Sequence, residues 1–589
     1  MANRRLESNR VGDIGSTARP SRVGTLILIV LIMLAFLTTA WAGISDGIPF
    51  DFYGTLLSMI TGAYKPSRHA IGILAVEWIV ILVVTGLIAY WYAHHERGVG
   101  RRGETRVDRY AGSMGSGRAV EKVARDHAVE MASRLVKDYD PDSMAPGYPL
   151  GVNIVDGLPM ATSWEDMSVV LAGPRSGKSL CYAIPACLSA PGALLCTSNK
   201  GDILDATLEQ RTSISGTGNV WVFDPERIAD PRKGASFCWN LIEDVREIRD
   251  AKRIADCWRY ASGQPQVAGS DDFFAGTASQ QLADYLYAAH LDNRTVSDVF
   301  KWASNENNSE PSDILKAAGY ANLAARTASV IGLTPETRSG VFGSLQTMVA
   351  FLADPSVLDW IQPRKEESRP MFRPDVFVRD GTHPGTLYLL SAQGRPSTAL
   401  TASLTATVAF TAYQYAQSEC QDNNRRLPVP LCCVLDEAAN ICRWPELSDI
   451  YSYFGSAGIP IMTIWQNPSQ GEAAFGATSF NSLFDNANVT VYLGGIKDTK
   501  FLGSISQLVG QREVVRSNVQ TDHRGARSVS RSVQSEEILP VSRLAEWPVG
   551  RALVLASQAR AQVVRTMPWN RDPKWAQYDR SAKRQEAQA

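Results

Sequence analysis

The residues best placed to do chemistry lie in two short stretches, SVVLAGPRSGKSL (Ser168–Leu180) and PLCCVLDE (Pro430–Glu437). The first reads as a buried strand to Ala172, a tight loop through Gly173, Pro174, Arg175 and Ser176, and a helix opened by Gly177, Lys178 and Ser179. That succession makes a phosphate cradle. Loop and helix N–H groups converge on phosphate oxygens, where the helix dipole also favours an anion. The nucleotide-binding run is Gly173 to Leu180, with Lys178 reaching the β- and γ-phosphates of ATP and the Ser179 hydroxyl ligating Mg²⁺. One departure from G-x-x-x-x-G-K-[ST] is visible: Ala172 stands at the first glycine, and Gly173 comes one residue late. In the second stretch an apolar strand delivers Asp436, suited to the Mg²⁺ shell, and then Glu437, suited to take a proton from attacking water. Two acids ending a strand also fit a solvated turn; the upstream cradle favours the catalytic reading.

A third strand, Ile459–Trp465, ends in Gln466-Asn467. A carboxamide there could sense the γ-phosphate and orient water, although a turn amide has the same look. Lys200, Asp202 and Asp224 emerge after the strands Gly192–Ser198 and Asn219–Phe223, and for them a solvated turn is an equal or better account.

These side chains need a frame that holds strand ends together. Uninterrupted apolar strands alternating with helices predict a parallel α/β sheet covered on both faces, with ligands at the strands' C-terminal ends. Gly385–Ser391, Val489–Gly494, Arg551–Ser557 and Ala561–Thr566 supply further strands, and Ala399–Ala416 a long apolar helix. The pattern changes over residues 250–358, where helical stripes (Phe274, Ala278, Leu282, Leu286, Ala289) and the cap Thr295-x-x-Asp298 mark an all-α insertion. The nucleotide-binding domain therefore comprises 151–249 and 359–569. Residues 93–150 form a linker with a helix at Gly117–Val136, the turn-rich stretch Pro141–Pro159 reads as an approach loop, and 570–589 is a charged tail. Arg512–Glu537, rich in Ser and Arg, reads as a solvated loop, with a DNA-facing segment as the sharper alternative.

A formal net charge of −1 over 589 residues offers no bulk electrostatic pull on nucleic acid. Nine cysteines without a C-x-x-C pair exclude a zinc ribbon or a disulfide frame and fit buried thiols. After a cytoplasmic segment (1–22), Val23–Ala42 and Ile71–Tyr92 are each long enough, at about 1.5 Å per residue, to cross about 30 Å of hydrocarbon. Arginines flank both runs on their outer sides, Arg19 and Arg22 before the first, Arg97, Arg101 and Arg102 after the second. This predicts a two-helix anchor over 23–92 with loop 43–70 outside and both termini in the cytoplasm. A cleaved signal peptide is the alternative for the first run and leaves the second in the same orientation.

The succession AGPRSGKS, TSNKGD, VWVFDP, PETRSG, VLDEAANI and IWQNPSQ resembles the TraG/TraD family of type IV secretion coupling proteins, over roughly Gly151 to Trp569. The resemblance implies a RecA-like P-loop ATPase domain with an inserted all-α domain, preceded by a two-helix transmembrane anchor in the bacterial inner membrane and assembled as a homo-hexamer. It implies ATP and Mg²⁺ as cofactors. Its partners would be conjugative, single-stranded DNA with its relaxase, and components of the secretion channel. Family roles carry over to Lys178, Ser179, Asp436, Glu437 and Gln466. An arginine offered by the neighbouring subunit is also implied, with Arg338 of TPETRSG the first candidate and Arg395 of SAQGRPS the second. Three other readings stay open: a coupling ATPase for protein effectors alone, an FtsK-like DNA translocase, and a docking receptor with a structural nucleotide site.

The anchor's orientation has a direct measurement. A reporter active only outside the cytoplasm is expected to work when fused within Asp46–Lys65 and to fail after Arg109; the reverse pattern would place the phosphate cradle outside.

Overall fold

The largely apolar runs become strands buried at every position, so both faces are covered. The computed structural model describes residues 38, 41, 43–51, 54–76, 78–79, 105–263, 270–379, 381, 383–394, 397–521 and 527–575. Most of 23–42 and 71–92 and the candidate Arg395 lie outside them. Among the described residues no single helix is long and apolar enough to cross a membrane.

By compactness the chain divides into residues 1–105 with 513–536, and residues 106–512 with 537–589. In the first unit Asp51 accepts from the Gly54 N–H (2.9 Å) at the start of the helix Gly54–Ile60. Asp46 accepts from the Tyr64 hydroxyl (2.6 Å) and the Ser67 N–H (2.8 Å), closing the loop between them.

The strands are β1 (Pro149–Asn153), β2 (Pro159–Ala161), β3 (Ser168–Leu171), β4 (Leu194–Ser198), β5 (Val220–Phe223), β6 (Thr386–Leu390), β7 (Cys432–Leu435), β8 (Ile461–Trp465), β9 (Val489–Tyr492), β10 (Gln511–Thr521), β11 (Arg527–Glu537), β12 (Arg551–Ala556) and β13 (Gln562–Arg565). In the second unit an eleven-stranded sheet runs β2-β1-β13-β12-β9-β3-β8-β7-β4-β6-β5. The pairs from β9 to β5 are parallel and those from β2 to β9 antiparallel. Alternate residues serve opposite faces: Val169 and Leu171 join the core shared with the helical insertion, and Val170 and Ala172 the core beneath the helix that follows β3.

The insertion is helical throughout its described length, from Ile248–Ala261 to Pro355–Ile361. Thr295 and Asp298 cap the helix Val296–Ala303 reciprocally, as their spacing predicts. The apolar helix extends over Ser397–Glu419, and all nine cysteines are free and buried.

Three expectations change. Pro149–Asn153, expected inside the approach loop, and Pro159–Ala161, which starts at its last residue, pair with each other, and β1 pairs with β13. Their Pro and Gly content hides them, and a register shift at Gly151 (φ 117°) absorbs the irregularity. The helix expected over Gly117–Val136 is interrupted at Ala124, whose extended backbone bridges to Met160. Arg512–Glu537 is a two-stranded sheet, β10 with β11, and not a loop. Its few valines stand among Glu, Arg, Ser, Asn and Gln with no continuous apolar run, and Val515 and Val533 are exposed.

A buried arginine ties the sheet to its helices. Arg211 donates to the carbonyls of Ala190 (2.7 Å) and Gly192 (2.8 Å) and to Thr386 Oγ1 (2.9 Å), from a fully buried position. Arg211→Met would leave both carbonyls without a donor, so stability is expected to fall by about 2–5 kcal/mol, read as a lower urea midpoint. An unchanged midpoint would refute this role.

Candidate functional site

The site forms where β3, β8 and β7 end side by side. After Leu171 the chain must turn tightly, and the space is set by another loop. Gly173 N–H donates to the Gly494 carbonyl (2.9 Å), and a Cβ on Gly173 would stand 2.5 Å from the Gly495 oxygen. Glycine is needed at 173 by contact. Ala172 ends the strand, fully buried, with its N–H on the Trp465 carbonyl (2.9 Å). The displaced glycine is thus a requirement of this loop, and Ala172 obstructs nothing.

Beyond Gly173 the loop uses left-handed backbone at Arg175 (φ 61°) and Gly177 (φ 88°), while the Ser176 hydroxyl donates back to the Gly173 carbonyl (2.7 Å). Pro174, Arg175 and Leu180 are exposed at its rim. The helix opens with a wide turn, Ile184 N–H bonding to the Ser179 carbonyl. Pro185, which has no N–H to give, follows at once, and the wide turn accommodates it.

Lys178 reaches across to β7. Its Nζ lies 3.3 Å from Asp436 Oδ1 and bonds Glu437 Oε1. Gln466 Nε2, from the end of β8, donates to the same Glu437 oxygen. Asn440 Nδ2 donates to Glu437 Oε2 (2.9 Å), and Thr197 of β4 holds the Asp436 carbonyl (3.0 Å). Both acids are buried, Asp436 at 2% and Glu437 at 3% exposure. Burial pushes the Asp436 carboxyl up to about 6; Lys178 opposes this, and Glu437 and Asp202 add to it. Two buried carboxylates share one ammonium, a set that further positive charge would complete.

Such charge is what Mg²⁺ brings, and the donors fit it. Asp436 Oδ1 is buried and met only by the Lys178 ion pair, and Ser179 adds a hydroxyl oxygen on the facing loop. Hard oxygen donors suit Mg²⁺. No cluster of three or more metal-ligating side chains occurs among the described residues.

Lys178, Asp436, Glu437 and Gln466 therefore come together as their motifs predict, with Ser179 on the same loop. Asp202 adds charge nearby, and Lys200 is exposed. Asp224 instead braces its own turn, accepting from the N–H groups of Ile228 (2.7 Å) and Ala229 (2.8 Å). Arg338, expected in a turn, lies near the start of the helix Pro335–Val349. There Nη1 donates to the Ile331 carbonyl (2.8 Å) and Nε pairs with Glu306 (3.5 Å). Asn440, Thr197 and the Gly494-Gly495 pair escaped sequence reasoning. Only the paired glycines carried a signal, that of a backbone approached closely.

The family model described as the TraM recognition site of TraD and TraG matches residues 430–549. No curated protein sequence matches the chain. Among solved structures, the unbound bacterial conjugative coupling protein TrwBΔN70 aligns with 79% of this chain and 98% of its own, at 16% identity and a TM-score of 0.53. Plasmid coupling protein TrwB in complex with a non-hydrolysable ATP analogue aligns over 70% and 88%, at 15% identity and 0.51. The same protein with ADP and Mg²⁺ aligns over 77% and 96%, at 15% identity and 0.50. The chain shares their fold, a RecA-like domain with an all-α insertion, and resembles the TraG/TraD/TrwB coupling proteins.

The two loop positions can be told apart by titration with ADP. Gly173→Ala pushes the loop off Gly495, and affinity is expected to fall about tenfold or more; Ala172→Gly is expected to leave it unchanged within about twofold. The opposite order would put the first turn of the cradle at 172.

Proposed function

We propose that this chain is a membrane-anchored ATP hydrolase that couples conjugative DNA and its relaxase to a type IV secretion channel, assembled as a homo-hexamer on the inner membrane with both termini cytoplasmic. The observation that carries the ATPase reading is the convergence of Lys178, Asp436, Glu437 and Gln466 where three neighbouring strands end. The match to the TraM recognition site of TraD and TraG, and the fold shared with TrwB, support the coupling role.

The residues divide the work as follows. Gly173 to Leu180 wrap the phosphates with N–H groups. Lys178 exchanges its carboxylate partners for phosphate oxygens, which frees Glu437 Oε1 to face water. Glu437 accepts the water's proton, and Gln466 orients that water. Ser179 and Asp436 would hold Mg²⁺, which when bound neutralises charge on the phosphates. The arginine a neighbour offers is assigned to Arg338, which must first leave Ile331 and Glu306.

Glu437→Gln is expected to retain ATP binding while turnover falls by about 10²-fold or more, since an amide cannot take the proton. Lys178→Ala is expected to weaken binding itself. Near-parental hydrolysis by Glu437→Gln would overturn the assignment of the base. Stimulation of turnover by single-stranded DNA separates the DNA-coupling reading from a carrier of proteins alone, for which DNA would leave the rate unchanged.

A further inference from the structure

Both oxygens of the Glu437 carboxylate are engaged, by partners of different origin. Oε1 receives Lys178 from the phosphate loop and Gln466 from the end of β8. Both of these are groups that phosphate and water compete for once ATP binds. Oε2 receives Asn440 Nδ2 at 2.9 Å, and Asn440 belongs to Glu437's own segment. Its N–H donates to the Glu437 carbonyl (2.8 Å) in the short helix Ala438–Ile441, and it is 7% exposed. The amide's orientation follows from chemistry: an ionised carboxylate only accepts, so the NH₂ must face it. Glu437 itself sits in left-handed backbone (φ 56°, ψ 39°), a conformation costly for a residue with a Cβ. Its side chain thus leaves the chain in an unusual direction and is met there by Asn440.

We propose that Asn440 is a positioning residue for hydrolysis, holding Glu437 Oε2 through the cycle so that Oε1 is the oxygen presented to water. The inference rests on Glu437 being the general base. The bond spans three residues within one turn, so it does not depend on where Lys178 or the phosphate loop moves. A carboxylate fixed by one oxygen keeps its remaining lone pairs aimed, which is what proton transfer over hydrogen-bond distance demands.

The test uses the full chain with Mg-ATP and compares Asn440→Asp with Asn440→Leu. The first keeps size but sets a carboxylate against Glu437; the second removes the donor. Expected are falls in kcat of about thirtyfold and about tenfold respectively, with KM and ADP affinity within about threefold of the parent. In a Glu437→Gln background, single-turnover rates should lose much less on adding either change, because the group being aimed is gone. An unchanged kcat would overturn the proposal. So would a loss of kcat that comes with loss of ADP binding or of cooperative unfolding in both variants, which would make Asn440 structural. Turnover surviving in Glu437→Gln alone would instead remove the base assignment, whatever Asn440 does.

Discussion

One ammonium between two buried carboxylates is the interaction on which the site depends. Lys178 sits on a loop, and Asp436 and Glu437 on a strand end, so the ion cluster fastens two elements far apart in sequence. Removing one charge from such a cluster is costly, because it strands the others without water. Phosphate and a divalent cation can replace the internal pairing while keeping the charge balanced. In the proposed cycle that pairing would keep Glu437 occupied until a nucleotide takes its partner. Asp436 is 2% exposed, so little solvent assists it, and burial pushes its carboxyl up to about 6.

The sheet order makes that geometry available. β8 lies between β3 and β7, so Gln466 emerges between the phosphate loop and the two acids, reaching Glu437 from the side. On its other flank β3 pairs with β9, whose following glycines approach Gly173 closely enough to dictate its identity. The loop is thus shaped by neighbours on both sides. The parallel strands supply a rigid edge, and the antiparallel set from β12 to β2 extends the sheet beyond β9.

Helical packing carries the site into the rest of the domain. Ser397–Glu419 is buried along its first half, and Trp258 of the insertion donates to Ser403 on it (3.0 Å). Arg443, just past the helix that follows Glu437, donates to the Tyr260 carbonyl (3.2 Å) at the insertion's first helix. Through Arg443 the first helix of the insertion thus touches the segment bearing Glu437 and Asn440.

The sequence by itself located the phosphate-loop and strand-end-acid patterns and most of the strands. Phosphate loops and strand-end acids are local patterns, and strands buried on both faces are legible as continuous apolar runs, from SVVL to IMTIW. The helical insertion was equally plain, since its stripes and the Thr295–Asp298 cap are written within single helices. Only the tertiary structure decided which ends meet. The β3-β8-β7 order, the Gly173–Gly495 approach and the bond from Asn440 to Glu437 arise from pairings, or from a left-handed backbone, that no local pattern encodes. The short strands β1 and β2 and the polar pair β10–β11 were hidden for a related reason: their hydrogen bonds come from partners, and their residues form no continuous apolar run. Arg338 shows the same limit, because its hold on Ile331 and Glu306 depends on how the helices of the insertion pack.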